Sequence, residues 1–307
     1  MKRLVCYLLC AAVLFTAAPF ALAERPREIF PLEYDALPEP KEGQYHYLLA
    51  CVDTWETKPH NLGNTDGMIM VTMDVRSKRL LFTTFMREML IQRPDGGIGR
   101  ITYIAKNNGP EALCRIISTH FGVKVDQYII FSMDNVQKII DAMGGVYITV
   151  TDAEAAYLNR YRISRDSTTP SMDRGGTYLF GGHAAVIYMR IRKVGNDGDA
   201  GRTRRMRTVL STLVSKYNEI TMEQSLKILE AVQDNLCLTN MTIGQLMEAM
   251  SHALQLRGVQ AEGMQMPSDE AMSPITYAGM STRQVDFDLC RDVLAEFLDD
   301  SFAVIDD

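Results

Sequence analysis

The chain has 307 residues, 47% of them hydrophobic and 23% charged, which excludes a wholly disordered, collagenous or coiled-coil protein. Its formal net charge is -6, from 32 basic and 38 acidic side chains. That excludes a general nucleic-acid binder, because neutralising a phosphate backbone takes clustered surplus lysine and arginine.

Residues 1–23 open with Lys2 and Arg3 and continue without a charge to Ala23. Pro19 and the small residues Ala21 and Ala23 give this stretch the form of a secretory signal peptide. An uncleaved membrane anchor of the same length is the alternative. Under both readings the rest of the chain is extracytoplasmic, secreted or held at the outer face of the membrane. Of six cysteines, Cys6 and Cys10 lie in this segment. Cys51, Cys114, Cys237 and Cys290 are too widely spaced for a CxxC zinc site, and leave both disulfides and buried thiols open.

Residues 24–44 are charged and rich in proline, as in an extended leader or linker. The pattern then predicts strands over 45–52, 68–73 and 79–84, with a polar loop over 53–67. A helix is predicted over 110–121 and a short strand over 128–132. Asp134 or Asn135 is a candidate cap for the next helix, in which Val136, Ile139, Ile140 and Met143 form one apolar face. Gly144 and Gly145 end it, and a strand over 146–150 follows. Residues 151–182 read as a long loop or lid, 184–192 as a strand, and 201–217, 222–235, 242–256 and 289–297 as helices. Alternating strands and helices without a repeat predict one α/β domain over 45–300, with helices on both faces of a sheet.

The chain has no GxSxG elbow, HExxH or Walker loop, and its five histidines share no metal-ligand spacing. His183 suits a turn and Trp55 suits local packing. One segment stands apart. Residues 188–207 carry seven basic and two acidic side chains, a local +5 in an acidic chain. If 184–192 is a strand, Arg190 and Arg192 point to one face. Arg202 lies in the first turn of the next helix, on the face continued by Met206, Val209 and Leu213. A cation there opposes the helix dipole and faces inward, so it needs an anion. Guanidinium groups match phosphate oxygens in paired geometry. Arg205 is intermediate, and Arg204 and Arg207 suit a solvated face. Asp53 follows the first strand and Asp66 precedes the second; if those strands are neighbours, both carboxylates meet at one sheet edge. Two carboxylates facing phosphate-binding arginines suit a Mg²⁺ shared with a phosphate. Arg87 and Glu88 follow the third strand.

LFGGHAAVIYMRIRKVGNDGDAGRTRRM resembles the L-x-G, A-x-x-Y-x-R-x-R and D-x-G-R pattern of the LytR-CpsA-Psr family of cell-wall assembly proteins. IIDAMGGVYITV, YLLACVDTWE, GNTDGMIMVTMD and FMREML resemble its remaining motifs in order. The resemblance implies a three-layer α/β/α sandwich with a central mixed sheet. It implies a phosphotransferase that takes a glycan phosphate from a polyprenyl-pyrophosphate carrier, in an apolar tunnel, and joins it to peptidoglycan. By matching positions, Asp53 and Asp66 would hold Mg²⁺ or Mn²⁺. Arg87, Arg190, Arg192 and Arg202, with Arg205 beside them, would grip the pyrophosphate, and Arg87, Asp53 and Asp66 would be catalytic. Asp53, Asp66 and Glu88 all stand open as the proton acceptor. A lipid-pyrophosphate pyrophosphatase and a non-enzymatic polyprenyl-phosphate or glycan binder are the alternatives. The sequence departs from the family at Cys51 (glycine), Asn64 (arginine), Met86 (proline), Glu88 (aspartate), Thr102 (asparagine) and Met206 (glutamine).

Overall fold

A computed structural model describes residues 25–54, 62–160, 169–195, 198–219, 223 and 238–299. The expected signal segment, Trp55, His60, Cys237 and most of the helix expected over 222–235 lie outside the described residues.

Three antiparallel strands start the domain: β1 (Gln44–Val52), β2 (Thr65–Asp74) and β3 (Arg79–Phe85). A small hairpin follows, β4 (Leu90–Gln92) and β5 (Ile98–Arg100), then α1 (Ile104–Asn108) and α2 (Pro110–Phe121). Next come β6 (Gln127–Phe131), α3 (Met133–Ala142), β7 (Val146–Val150), α4 (Asp152–Arg160), β8 (Gly176–Phe180), α5 (Gly182–Met189) and α6 (Gly198–Glu219). The chain closes through β9 (Leu238–Thr239), α7 (Ile243–Gln255), β10 (Ala261–Met266), β11 (Met272–Tyr277), β12 (Met280–Val285) and α8 (Phe287–Leu298).

The central sheet runs β10-β3-β2-β1-β6-β9. It is mixed, with β1–β6 and β3–β10 parallel and the other pairs antiparallel. Side chains alternate across it. Leu48, Ala50, Val52, Met68 and Met70 face one core with residues of α2 and α8. Ile69, Val71 and Phe82 make the opposite face. A second core joins α3, α4, α5, α6 and the β7–β8 hairpin. This is the expected α/β architecture, a mixed sheet with helices on its flanks. Ile29 and Leu37 of the leader are buried, and Leu32 N–H donates to the Thr119 carbonyl at 2.8 Å.

Three local readings change. The stretch over 151–182 contains α4 and β8 rather than a continuous loop. Its start is a T-x-x-E box: Thr151 Oγ1 accepts from Glu154 N–H at 3.2 Å, and Glu154 Oε2 accepts from Thr151 N–H at 3.0 Å. The apolar run expected as a strand over 184–192 is helix α5. Packed between other elements, this short helix is apolar all round, and a short apolar run shows no period that separates strand from helix. Gly182 marks the contact: a β-carbon there would sit 2.0 Å from the Gln137 carbonyl oxygen of α3. Finally, Ser132 caps α3, and Asn135 closes a capping box with it from the third helical position.

Cys51, Cys114 and Cys290 are free thiols, and burial pushes each up to about 12. They are therefore poor nucleophiles at neutral pH.

Two buried histidines fix an acid limit. His120 Nδ1 donates to the Ile116 carbonyl at 2.8 Å, and Nε2 accepts from Gln92 N–H at 3.0 Å, so the neutral ring satisfies both neighbours. A second ring proton would face an N–H. Desolvation, with Arg291 adding to it, lowers His120 to about 4, and desolvation lowers His46 to about 4. Both stay neutral in the fold while the unfolded chain takes up protons below about 6.5. Their contribution to stability is thus present above pH 6.5 and is lost as pH falls toward 4. The melting temperature should fall through that window, and less steeply in His120→Gln; an equal fall in both proteins would contradict this origin.

Candidate active site

Asp66 is the centre of the site. Cys51 pairs with Gly67 and Val52 with Thr65, so the register slips and Asp66 has no partner on β1. Such a bulge re-aims the extra residue's side chain. The Asp66 carboxylate is buried and meets three guanidinium groups: Oδ1 accepts from Arg87 Nη1 at 2.7 Å, Oδ2 lies 2.9 Å from Arg202 Nη1, and Oδ2 lies 3.5 Å from Arg192 Nη2. Arg202 Nη2 also donates to the Asp66 carbonyl at 3.0 Å.

The cations come from separate elements. Arg87 follows β3 and donates through Nε to Glu88 Oε1 at 2.8 Å. Arg190 caps the C-terminus of α5, and Arg192 lies two residues beyond it. Their convergence follows from the helix end, not from strand alternation. Arg202 points inward from the first turns of α6, as its helical phase requires, and Asp66 is an anion that offsets it. Arg190 is half-buried and near enough to act on the Cys51 thiol, as are Asp53, Asp66 and Arg202. The fold therefore gathers Asp53, Asp66, Arg87, Arg190, Arg192 and Arg202 near one end of the central strands β1, β2 and β3.

Asp53 is held by the next loop. Its Oδ1 accepts from Asn64 N–H at 2.8 Å, and its Oδ2 accepts from Asn64 Nδ2 at 3.0 Å. Asn64, one of the departures, thus clamps this carboxylate. Thr102, another, donates to the Thr65 carbonyl at 2.8 Å, next to Asp66.

Arg205 points elsewhere. Its Nε donates to Glu154 Oε1 at 2.7 Å, and Nη1 and Nη2 donate to the carbonyls of Ile191 at 3.2 Å and Val194 at 3.3 Å. It holds the segment that carries Arg192 instead of joining the cluster around Asp66. Sequence reasoning missed Glu154, whose signal was the T-x-x-E box. Arg204 is exposed, as its helical phase predicts.

An apolar cavity of about 330 Å³ opens beside the charges. Leu49, Cys51 and Ile69 of the sheet, Ile139 of α3, and Met206 and Val209 of α6 are among its walls. Gly67, next to Asp66, also lines it, and a β-carbon there would sit 2.0 Å from the Met206 methyl group. The site thus joins a cationic cluster to a hydrocarbon-sized hollow.

A model described as the LytR_cpsA_psr family matches residues 24–288. The chain belongs to the LytR-CpsA-Psr family. Among its relatives is biofilm regulatory protein A of Streptococcus mutans, 28% identical over 239 residues, covering 72% of this chain and 57% of the relative. Another is the polyisoprenyl-teichoic acid–peptidoglycan teichoic acid transferase TagU of Oceanobacillus iheyensis, 25% identical over 51% of this chain and 47% of that one. The chain thus spans about half the length of these relatives. Two solved structures superpose on it. Protein gbs0355 of Streptococcus agalactiae has a TM-score of 0.69 at 21% identity, covering 86% of this chain and 91% of that one. TagV of Bacillus subtilis has a TM-score of 0.66 at 19% identity, covering 84% and 98%.

Among the described residues, no group of three or more His, Cys, Asp or Glu side chains is placed to hold a metal ion. Two carboxylates are nevertheless a set that Mg²⁺ uses when substrate phosphate and water complete its shell. Asp53 and Asp66 would be those two carboxylates, and their oxygens are engaged by Asn64 and by Arg87 and Arg202 respectively.

Proposed function

We propose that this protein transfers a glycan phosphate from a polyprenyl-pyrophosphate carrier to a hydroxyl of a cell-wall acceptor such as peptidoglycan, on the outer side of the cytoplasmic membrane. One observation carries the reading: a buried carboxylate bracketed by Arg87, Arg192 and Arg202 adjoins an apolar cavity. A diphosphate with a hydrocarbon tail has both chemistries in one molecule. The naming of relatives as teichoic acid–peptidoglycan transferases supports the same reading, as does a solved neighbour, TagT bound to LI-WTA, with a TM-score of 0.66. The uncharged, basic-ended segment 1–23 suits export or a membrane-proximal anchor. Among the described residues no helix is long and apolar enough to cross a membrane.

Asp66 pairs with Arg87, Arg192 and Arg202, and one carboxylate offsets only part of their charge. A diphosphate brings more charge and more acceptor oxygens, so the arginines exchange part of their contact with Asp66 for phosphate. Arg192, half-exposed and the most distant at 3.5 Å, turns most readily. The acceptor hydroxyl oxygen bonds to the phosphorus that bears the glycan. The bond from that phosphorus to the bridging oxygen breaks, polyprenyl phosphate leaves, and the hydroxyl proton passes to a carboxylate of the cluster. Arg87, Arg190, Arg192 and Arg202 stabilise the charge that grows on the phosphoryl oxygens. A Mg²⁺ or Mn²⁺ ion held by Asp53 and Asp66 would add Lewis-acid stabilisation.

The test supplies lipid-linked glycan pyrophosphate with and without peptidoglycan. Glycan coupled to peptidoglycan, with polyprenyl phosphate released only when acceptor is present, is the expected result. Free glycan phosphate without acceptor would identify a pyrophosphatase, and binding without turnover a carrier protein. The cavity has its own test. Gly67→Val places branched carbon against Met206 and should weaken binding of a long-chain polyprenyl pyrophosphate about tenfold, since each buried CH₂ contributes about 0.8 kcal/mol. A short-chain analogue should bind as before. Equal weakening of both would show that the tail does not use this hollow.

A further inference from the structure

A second cavity, of about 370 Å³, lies between the β4–β5 hairpin, α1 and the β11–β12 hairpin. We propose that it is an oligosaccharide-binding subsite, seating sugar rings of the donor glycan or of the acceptor strand during the transfer proposed above. Its lining suits a sugar. Tyr103 and Tyr277 offer aromatic faces for the C–H side of a pyranose, and Arg93, Arg100, Asp95 and Asn107 offer donors and acceptors for its hydroxyl, amide and acidic groups. The mixture differs from the apolar hollow beside Asp66, where aliphatic side chains dominate.

Arg100 Nη2 donates to the Ser281 carbonyl, which joins β5 to β12 across the groove. Arg93 is laid flat on the hairpin: β-carbons at Gly97 and Gly99 would come within 2.5 and 2.8 Å of its side chain. Two glycines in RPDGGIGR thus clear a bed for an arginine that pairs with Asp95 at 3.1 Å and lines the groove.

Position ties the groove to the reaction. Tyr103 is one residue beyond Thr102, whose hydroxyl bonds to the Thr65 carbonyl next to Asp66. On the other wall, Arg283 N–H of β12 donates to the Glu88 carbonyl at 3.0 Å, one residue beyond Arg87. Both walls are pinned to the strand ends that carry the cationic cluster.

The test titrates two probes into the whole protein: a soluble peptidoglycan tetrasaccharide, and the donor glycan freed of its lipid carrier. At least one should bind and should shift the NMR signals of the Met280 methyl group and of Ile98, which line the groove. Arg93→Ala/Asn107→Ala should weaken that probe about tenfold while a short-chain polyprenyl pyrophosphate binds as before. Loss for the peptidoglycan probe makes this an acceptor subsite, and loss for the donor glycan makes it a donor subsite. If neither probe binds, or if the bound probe leaves Met280 and Ile98 unmoved and tolerates the double substitution, the groove is not a sugar site. Sugar binding lost in the variant, with no transfer by the wild type, would keep the groove and remove the reaction.

Discussion

Arg192→Ala is expected to reduce glycan transfer by about 10²–10³-fold, the usual loss on removing one preorganised donor to a developing oxyanion, with little change in melting temperature. The side chain is 43% exposed and lies 3.5 Å from Asp66, so its pairing contributes little to stability. Its charge nevertheless stands where a diphosphate would enter. Arg192→Lys should recover only part of the rate, since an ammonium group cannot reproduce the paired geometry of a guanidinium on phosphate. Arg202→Ala is the contrast. That guanidinium is 3% exposed and holds both the carboxylate and the carbonyl of Asp66, so its loss should lower stability and transfer together. Transfer assays run beside thermal melts separate the two effects. An Arg192→Ala protein with near wild-type transfer would remove the anion pocket from the mechanism.

Much of this arrangement is legible in the sequence, and the parts that are not share physical causes. Strand β7 and helix α2 have the predicted bounds, because apolar alternation and a helical face with proline at its start leave little choice. The inward phase of Arg202 follows from its spacing to Met206 and Val209, and that phase calls for a counter-anion, which Asp66 supplies. Helix α5 was not legible, because an element buried on all sides loses the periodicity that reports its type. The bulge that isolates Asp66 depends on the register between β1 and β2, a long-range property that no local pattern carries. Nor could spacing assign Arg205. Its partner Glu154 is 51 residues away, on a helix that read as loop. The hollow beside Asp66 is legible only as the separate apolar faces of α3, α6 and the sheet.

Arg205 also gives the largest expected change in stability. Its guanidinium and the Glu154 carboxylate are 3% and 9% exposed and only 2.7 Å apart. Glu154→Ala leaves a buried cation without its counter-ion and should destabilise the protein by about 3–5 kcal/mol, read as a lower denaturation midpoint. Glu154→Leu combined with Arg205→Met should restore most of that loss, because a well-packed apolar pair replaces a buried ion pair at little cost. Transfer should not recover with it. The methionine cannot bond to the carbonyls of Ile191 and Val194, so the segment holding Arg192 loses its anchor, and the KM for the lipid-linked donor should rise more than kcat falls. A stable double variant with a wild-type KM would show that Arg205 only holds the fold together. A stable double variant with a raised KM would show that it also positions Arg192 for the diphosphate.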